Sequence, residues 1–252
     1  MKTINDIKQQ LEQTQGEERD QLLDMYKQDP RKGVANLISK YEKEKEKLKQ
    51  EMLRLNRMQA YEREYAHMGA VCGIDEAGRG PLAGAVVAGA VILPPDHQIF
   101  WLNDSKQLSA AKRDELYDQI MEEAIAVGVG YASPARIDEI NILQATYEAM
   151  REAIANLSVQ PDVLLNDAVI IPKVEIPQVK IIKGDAKSLS IAAASVIAKV
   201  TRDRLMMEYD KVMPEYGFAA HKGYGSAAHI EAIRKYGPSP IHRKSFLTKC
   251  IS

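Results

Sequence analysis

The sequence predicts an α/β fold: a mixed sheet with helices on its faces, preceded by a helical N-terminal extension. Three observations carry this. Two apolar, strand-like segments, "AVCGID" and "LAGAVVAGAVIL", follow one another with only the Gly78-Arg79-Gly80-Pro81 turn region between them, so they read as strands paired across a tight turn. Strand-like and helix-like segments then alternate, as they do when helices cover the faces of a sheet. The first 68 residues differ in composition, with one proline and few β-branched residues.

Residues 41–66 of that first part are strong helix formers in which Glu and Lys recur at helical spacing, the pattern of a solvated helix. Its apolar stripe is narrow: Leu48, Met52, Leu55 and Met58. Up to Ala70 there are 14 basic and 13 acidic residues, so the part is nearly neutral. It is expected to be a charged helical extension over residues 1–68 rather than a compact domain, and to add to substrate affinity. A catalytic domain is expected over residues 69–252.

After the strand pair, residues 109–126 form an amphipathic helix with Ser109 as N-cap. "VGVGYA" is a short strand, and residues 141–157 are another helix. "PDVLLND" and "QVKIIKGD" are two more strands, each ending in Asp, which makes five in all. Residues 188–212 are a long helix with an Ala-rich first half, and "SAAHIEAIRKYG" is a last helix ended by Gly237-Pro238.

Composition narrows the function classes. The formal net charge is −1, so any polyanion binding must come from a local patch. Cys72 and Cys250 make no disulfide framework, which suits a reducing compartment, and no CxxC or HExxH pattern marks a zinc site. The polar start "MKTINDIKQQLEQ" is no signal peptide, and the longest apolar run, residues 82–93, is too short for a membrane span. A soluble, cytoplasmic protein is expected, with monomer as the default and no membrane partner.

Asp75 and Glu76, Asp167, and Asp185 each stand at or just past the end of an apolar strand, where open α/β sheets place their ligand crevice. A strand-end Asp is also a common turn residue or helix cap, and Asp185 precedes a helix. Two adjacent acids inside "GIDEAGRG" exceed what a turn needs. Crowded carboxylates repel one another, and a divalent cation removes the conflict. Mg²⁺ and Mn²⁺ take oxygen ligands and are often completed by substrate phosphate, so two such ions are expected.

"GIDEAGRG" matches only half of a nucleotide-cradling loop: Gly73 and Gly78 have the spacing, but Arg79-Gly80 replaces Lys-Ser/Thr, and there is no GxGxxG. Gly78, Arg79 and Gly80 fit better as a contact surface, where backbone groups could read the 2′-OH that separates RNA from DNA. From residue 199 to 249 there are ten Lys/Arg and five Asp/Glu, an excess of five. "HKGYGS" sets Lys222 beside Tyr224, and "HRKSF" adds Arg243 and Lys244; basic groups with a ring suit nucleic acid. Taken alone, a tyrosine such as Tyr224 is more often ordinary packing. His221, His229 and His242 lack metal-ligand spacing on a helix.

The segments "GIDEAGRGPLAGAVVAGAVIL", "LNDSKQLS", "LLNDAV", "IIKGDAKSLSIAAASVIAKVTRDRLM", "YGFAAHKGYGS" and "GPSPIHRKSF", in that order over about residues 70–249, resemble the ribonuclease HII family of bacterial type. The resemblance implies an RNase H-like fold with a C-terminal helical region. It implies an endonuclease that cuts RNA in RNA–DNA hybrids and incises 5′ of single ribonucleotides embedded in duplex DNA, leaving 3′-OH and 5′-phosphate ends. By the same resemblance Asp75, Glu76, Asp167 and Asp185 are the metal-binding catalytic acids. Gly78, Arg79 and Gly80 sense the 2′-OH, and Tyr224 stacks on the following sugar. Lys106, Ser188, Ser195 and Lys199 resemble phosphate contacts. The Gly-Arg-Gly motif sets the chain apart from ribonuclease HIII. Asn166 and Ala168, around the third acid, depart from the residues relatives often carry. Two other readings stay open at this point: an RNase H-like nuclease acting on DNA, and a hybrid-binding module without catalysis.

Overall fold

The computed structural model describes residues 2–248; Lys249 and Cys250, counted above, lie outside them. It divides into two compact units, Met1–Arg54 and Leu55–Ser252.

The first unit holds helices α1 (Ile4–Gln13), α2 (Gly16–Tyr26) and most of α3 (Lys32–Met58). A reciprocal cap starts α1: the Thr3 hydroxyl accepts from the Asp6 N–H at 3.1 Å, and the Asp6 carboxylate accepts from the Thr3 N–H at 2.8 Å. Ile7, Leu11, Leu22, Leu23, Val34, Ile38 and Tyr41 are buried together. This corrects the expectation of an extension without a core. The apolar positions of α1 and α2 are spread between charges, and only packing against α3 gathers them.

The second unit starts with the end of α3, whose Leu55 and Met58 are core residues while Leu48 and Met52 are exposed. The rest comprises α4 (Ala60–Tyr65), β1 (Val71–Ala77), β2 (Val86–Ile92), α5 (Ala110–Glu123), β3 (Ala126–Ala132), α6 (Pro134–Ala155), β4 (Val163–Asp167), β5 (Gln178–Ile181), α7 (Leu189–Val212), α8 (Phe218–His221), α9 (Ala227–Tyr236) and α10 (Lys244–Leu247). The sheet order is β3-β2-β1-β4-β5. The β1–β2 and β2–β3 pairs are antiparallel; β1–β4 and β4–β5 are parallel. This is the expected mixed five-stranded sheet.

Alternation along the strands sorts residues to two faces. Cys72, Ile74, Val86, Ala88, Ala90 and Ile92 pack with Ala149, Met150 and Ala153 of α6. The opposite face receives α7, whose Ala192, Ala193 and Ala194 are fully buried. Contact there is backbone to backbone: a Cβ at Gly73 would overlap the Ser190 peptide, and one at Gly89 would crowd the Ala194 carbonyl. Glycine in the strands and alanine in the helix bring α7 flush against β1.

Two element boundaries differ from expectation. Residues 82–85 do not extend β2; they bond to the C-terminal segment, with the Leu82 N–H on the Gly223 carbonyl, the Gly84 N–H on the Ile241 carbonyl, both at 2.9 Å, and an Ala83–His242 bridge. The helix expected from residue 141 starts at Pro134, with Ser133 as its N-cap. Asn141 breaks it at φ 70°, and its Oδ1 accepts from the Leu143 and Gln144 N–H groups, so Asn141 caps a helix start inside a longer element. A further short helix, α10, follows α9. Among the described residues no helix is long and apolar enough to cross a membrane.

Candidate active site

β1 is central and parallel to β4, and β4 to β5, so the three strands end at the same edge. Asp75 and Glu76 lie in the last turnings of β1, Asp167 is the final residue of β4, and Asp185 sits in a one-turn helix after β5. All four expected acids lie at that edge. The Asp167 carboxylate accepts from the Gly184 N–H at 2.7 Å, which ties the end of β4 to the Asp185 turn. Ala168 (φ 54°) and Lys183 (φ 57°) flank that junction in the left-handed region, a conformation costing about 1–2 kcal/mol for a residue with a Cβ. Such strain clusters where backbone must aim functional groups.

The electrostatics are those of crowded anions. Burial, with Glu76 and Asp167 beside it, pushes the Asp75 carboxyl well above the usual carboxylate range; the Glu76 backbone and, less, the Ser195 hydroxyl pull the other way. The Ser195 hydroxyl is 2.8 Å from that of Ser105, so a pair of buried serines supports the acid. Burial also raises Glu76, against the opposing pull of Arg79, whose Nη1 lies 3.2 Å from Glu76 Oε1. Burial, Asp104 and Asp167 raise Asp185; Lys106 Nζ, 3.9 Å away, acts against them. Lys106 itself is drawn down by burial, but Asp104, Asp75, Asp185 and Asp167 outweigh this and hold its ammonium above the ordinary range.

Such a donor set is made only of hard oxygens and is short of cations, which fits a divalent ion of the Mg²⁺ or Mn²⁺ kind. Among the described residues no three carboxylate, imidazole or thiol groups already converge into a coordination sphere. Water and a substrate phosphate would have to complete one, as is usual for Mg²⁺.

Beside the acids stands the Gly-Arg-Gly loop, whose carbonyls are held by the buried Arg243, while a second buried arginine, Arg202, holds the segment that follows it. Arg243 donates from Nε and Nη2 to the Gly84 carbonyl (2.9 and 2.7 Å), from Nη1 to that of Arg79 (2.9 Å) and from Nη2 to that of Gly78 (2.6 Å). Arg202 donates to the Ala85, Ala83 and Lys222 carbonyls, each at 3.0 Å. In a trans peptide the C=O and N–H point in opposite directions. By drawing the Gly78 and Arg79 carbonyls inward, Arg243 turns the N–H groups of Arg79 and Gly80 away from itself as a pair. Gly78, at φ 93°, leaves room for the Arg202 side chain, which a Cβ there would strike. Burial draws Arg202 below its usual range; burial and Arg202 draw Arg243 to about 9, which leaves it cationic at neutral pH.

Tyr224 lies next to Gly80, its ring edge 3.8 Å from where a Gly80 Cβ would stand, and it is 47% exposed. Gly78, Arg79, Gly80, Lys106 and Tyr224 are thus all brought to the acids or to the loop beside them. Ser188 is not available there: it is fully buried, caps α7, and donates to Glu62 Oε1 at 2.6 Å. Lys199 pairs with Asp203 at 2.8 Å, one helical turn away on α7. Arg243, expected in a basic surface patch, is buried because the loop carbonyls need its donors.

Sequence reasoning missed three contributors. Asp104 adds a fifth carboxylate near Asp185, and its place beside Lys106 in "NDSK" was the available signal. Glu62 Oε1 accepts from Ser188 and from the Ser190 N–H and hydroxyl. The clamp of Arg202 and Arg243 had no signal, since a buried arginine reads like an exposed one. A cavity of about 160 Å³, lined by residues such as Gln59, Leu93, His97 and Ile125, holds none of the four acids.

The family model "Ribonuclease HII" matches residues 72–249, and "Ribonuclease HII N-terminal domain" matches residues 3–66. A ribonuclease HII of Lachnoclostridium phytofermentans is 65% identical over 230 residues, covering 90% of this chain and 91% of the relative. One of Bacillus cytotoxicus is 53% identical, covering 97% and 94%. The crystal structure of the ribonuclease H2 from Pyrococcus horikoshii OT3 is 30% identical at a TM-score of 0.60, covering 72% of this chain and 96% of that one.

Proposed function

We propose, from the premise that this chain belongs to the ribonuclease HII family, that it incises duplex DNA on the 5′ side of a single embedded ribonucleotide in a metal-dependent reaction. Family membership makes it an RNase H-type endonuclease acting on RNA–DNA hybrids and sets aside the non-catalytic binding module. One observation supports the finer reading: the four acids gather beside a loop that turns backbone N–H groups outward next to an exposed tyrosine.

Asp75, Glu76, Asp167 and Asp185 would hold the ion or ions. Bound there, Mg²⁺ or Mn²⁺ supplies activation of water and charge stabilisation at the leaving 3′-oxygen, giving 3′-OH and 5′-phosphate ends. The chain's own groups do the rest. The buried Ser195 hydroxyl near Asp75 favours its ionised form. Lys106, high in pKa and largely exposed, presents a cation to phosphate at the rim of the acids. The N–H groups of Arg79 and Gly80 suit the oxygen of a 2′-OH, which a deoxyribose cannot offer. Tyr224 presents a ring face for the next sugar.

The test is incision of a labelled duplex holding one ribonucleotide, with Mg²⁺ or Mn²⁺ and with chelator, beside an all-DNA duplex and a long RNA–DNA hybrid. Metal-dependent cutting 5′ of the lone ribonucleotide and none of the all-DNA duplex is expected. Cutting of the all-DNA duplex would instead support a DNA nuclease.

A further inference from the structure

Three histidines lie behind Tyr224, and their proton arrangement is dictated by backbone groups at both ends. The Ser239 N–H, which can only donate, points at His242 Nδ1 at 2.8 Å. His242 Nδ1 is therefore an acceptor, and the neutral ring carries its proton on Nε2. That nitrogen faces His229 Nε2 at 3.0 Å. His229 must accept there, which places its own proton on Nδ1. His229 Nδ1 is 2.8 Å from the Tyr224 carbonyl, which can only accept. One arrangement satisfies every bond: the Ser239 N–H and the Ser239 hydroxyl, 2.7 Å away, both donate to His242 Nδ1, His242 donates to His229, and His229 donates to the Tyr224 C=O.

His221 supports the chain without interrupting it. It accepts from the Gly223 N–H at Nδ1 (3.1 Å), faces the Tyr216 carbonyl with Nε2 (2.8 Å), and stacks on His229 with ring centroids 4.3 Å apart. His229 and His242 are buried, and Phe218 packs against both rings. The Tyr224 ring, by contrast, is half exposed. Its main chain is held at three points: the Tyr224 N–H donates to the His221 carbonyl (2.9 Å), and the Tyr224 carbonyl accepts from the Ser226 N–H (2.8 Å) and from His229, where the relay ends.

We propose that His242 and His229 are positioning residues for ribonucleotide selectivity: their hydrogen-bond relay fixes the Tyr224 backbone and so holds the ring beside the Gly-Arg-Gly loop. This rests on the reading of Tyr224 as a substrate-facing ring. The four acids are untouched by the relay, so it acts on choice of substrate more than on cleavage itself.

The test uses the full chain with Mg²⁺ and compares kcat/KM on the single-ribonucleotide duplex with that on a long hybrid. His229→Phe keeps the packed ring and removes the donor; selectivity for the single ribonucleotide should fall about five- to tenfold, the scale of one lost hydrogen bond. His229→Asn puts an amide donor near the place of Nδ1 and should recover much of the loss. In the Tyr224→Ala background His229→Phe should change selectivity no further. ¹⁵N shifts of the imidazoles of the intact protein should report Nε2–H for His242 and Nδ1–H for His229. Opposite tautomers, or a His229→Phe effect that adds fully to Tyr224→Ala, would overturn the relay while leaving the Tyr224 reading intact. If Tyr224→Ala itself leaves selectivity unchanged, the Tyr224 reading fails and the relay's role in selectivity falls with it, whatever the tautomers.

Discussion

At the scale of single residues, charge crowding and buried cations divide the work. Asp75 is nearly enclosed, faces Glu76 and Asp167, and has one serine donor. Asp75→Asn keeps the shape and removes the charge that would hold a metal ion. It is expected to lower cleavage by more than about 100-fold, since even groups that merely support metal ligands act on the scale of 10–100-fold. Filter binding should show hybrid affinity largely kept; wild-type turnover by this variant would contradict its assignment. Arg243→Met leaves the buried carbonyls of Gly78, Arg79 and Gly84 short of donors, at a cost of about 1–3 kcal/mol each. Urea unfolding should show the loss, and Arg243→Lys should fall between. The four acids could be singled out in the sequence because each follows an apolar strand and two of them are adjacent, more than a turn needs; the structure puts all four at one edge of the sheet. Ser188 was misjudged because a serine before a helix has the same letter whether it caps the helix or faces solvent.

At the scale of elements, the site depends on α7 lying flush on β1 and on the turn behind Tyr224. Gly73→Ala would force a Cβ into the Ser190 peptide. Overpacking of this kind costs about 1–3 kcal/mol and would shift α7, which carries Ser195. A lowered thermal midpoint is expected, together with a fall in cleavage beyond that of a surface Gly→Ala control. The histidine turn carries a pH signature. Burial, then the neighbouring His229 and His221, hold His242 at about 4 against an ordinary 6.5. The folded chain therefore binds fewer protons than the unfolded chain between those values. Its contribution to stability is whole above about pH 6.5 and is lost as the pH falls toward 4. Urea unfolding at about pH 7 and about pH 5 should show the loss, and His242→Phe should flatten it. Most elements could be read from periodicity and caps, among them Ser109 and the start of α7. The segment before Asn141 could not, because Asn141 does cap a helix start and so hid the helical turns ahead of it. Residues 82–85 look like strand, but their partners lie more than 130 residues away in sequence, at Gly223 and Ile241.

At the scale of the whole molecule, the chain divides into two compact units. Met1–Arg54 has a small core of its own, and residues 3–66 match a domain model rather than an arm. The division falls before Leu55, earlier than composition suggested, because Leu55, Met58 and Glu62 serve the second unit's core and the cap of α7. Removing residues 1–54 is expected to leave a folded nuclease with weaker substrate binding. Removing residues 1–68 should also lower the unfolding midpoint, because it strips those three side chains. Equal midpoints for the two truncations would contradict this division of labour.

A metal-holding set of acids and a 2′-OH-reading loop should together make incision depend on one ribose. Incision of a DNA duplex containing one ribonucleotide, in Mg²⁺ or Mn²⁺, should be compared with that of the same duplex carrying deoxyribose at that position. A single metal-dependent cut 5′ of the ribonucleotide and none in the all-DNA duplex is expected. Cleavage of a long RNA–DNA hybrid with the single-ribonucleotide duplex left intact would contradict it.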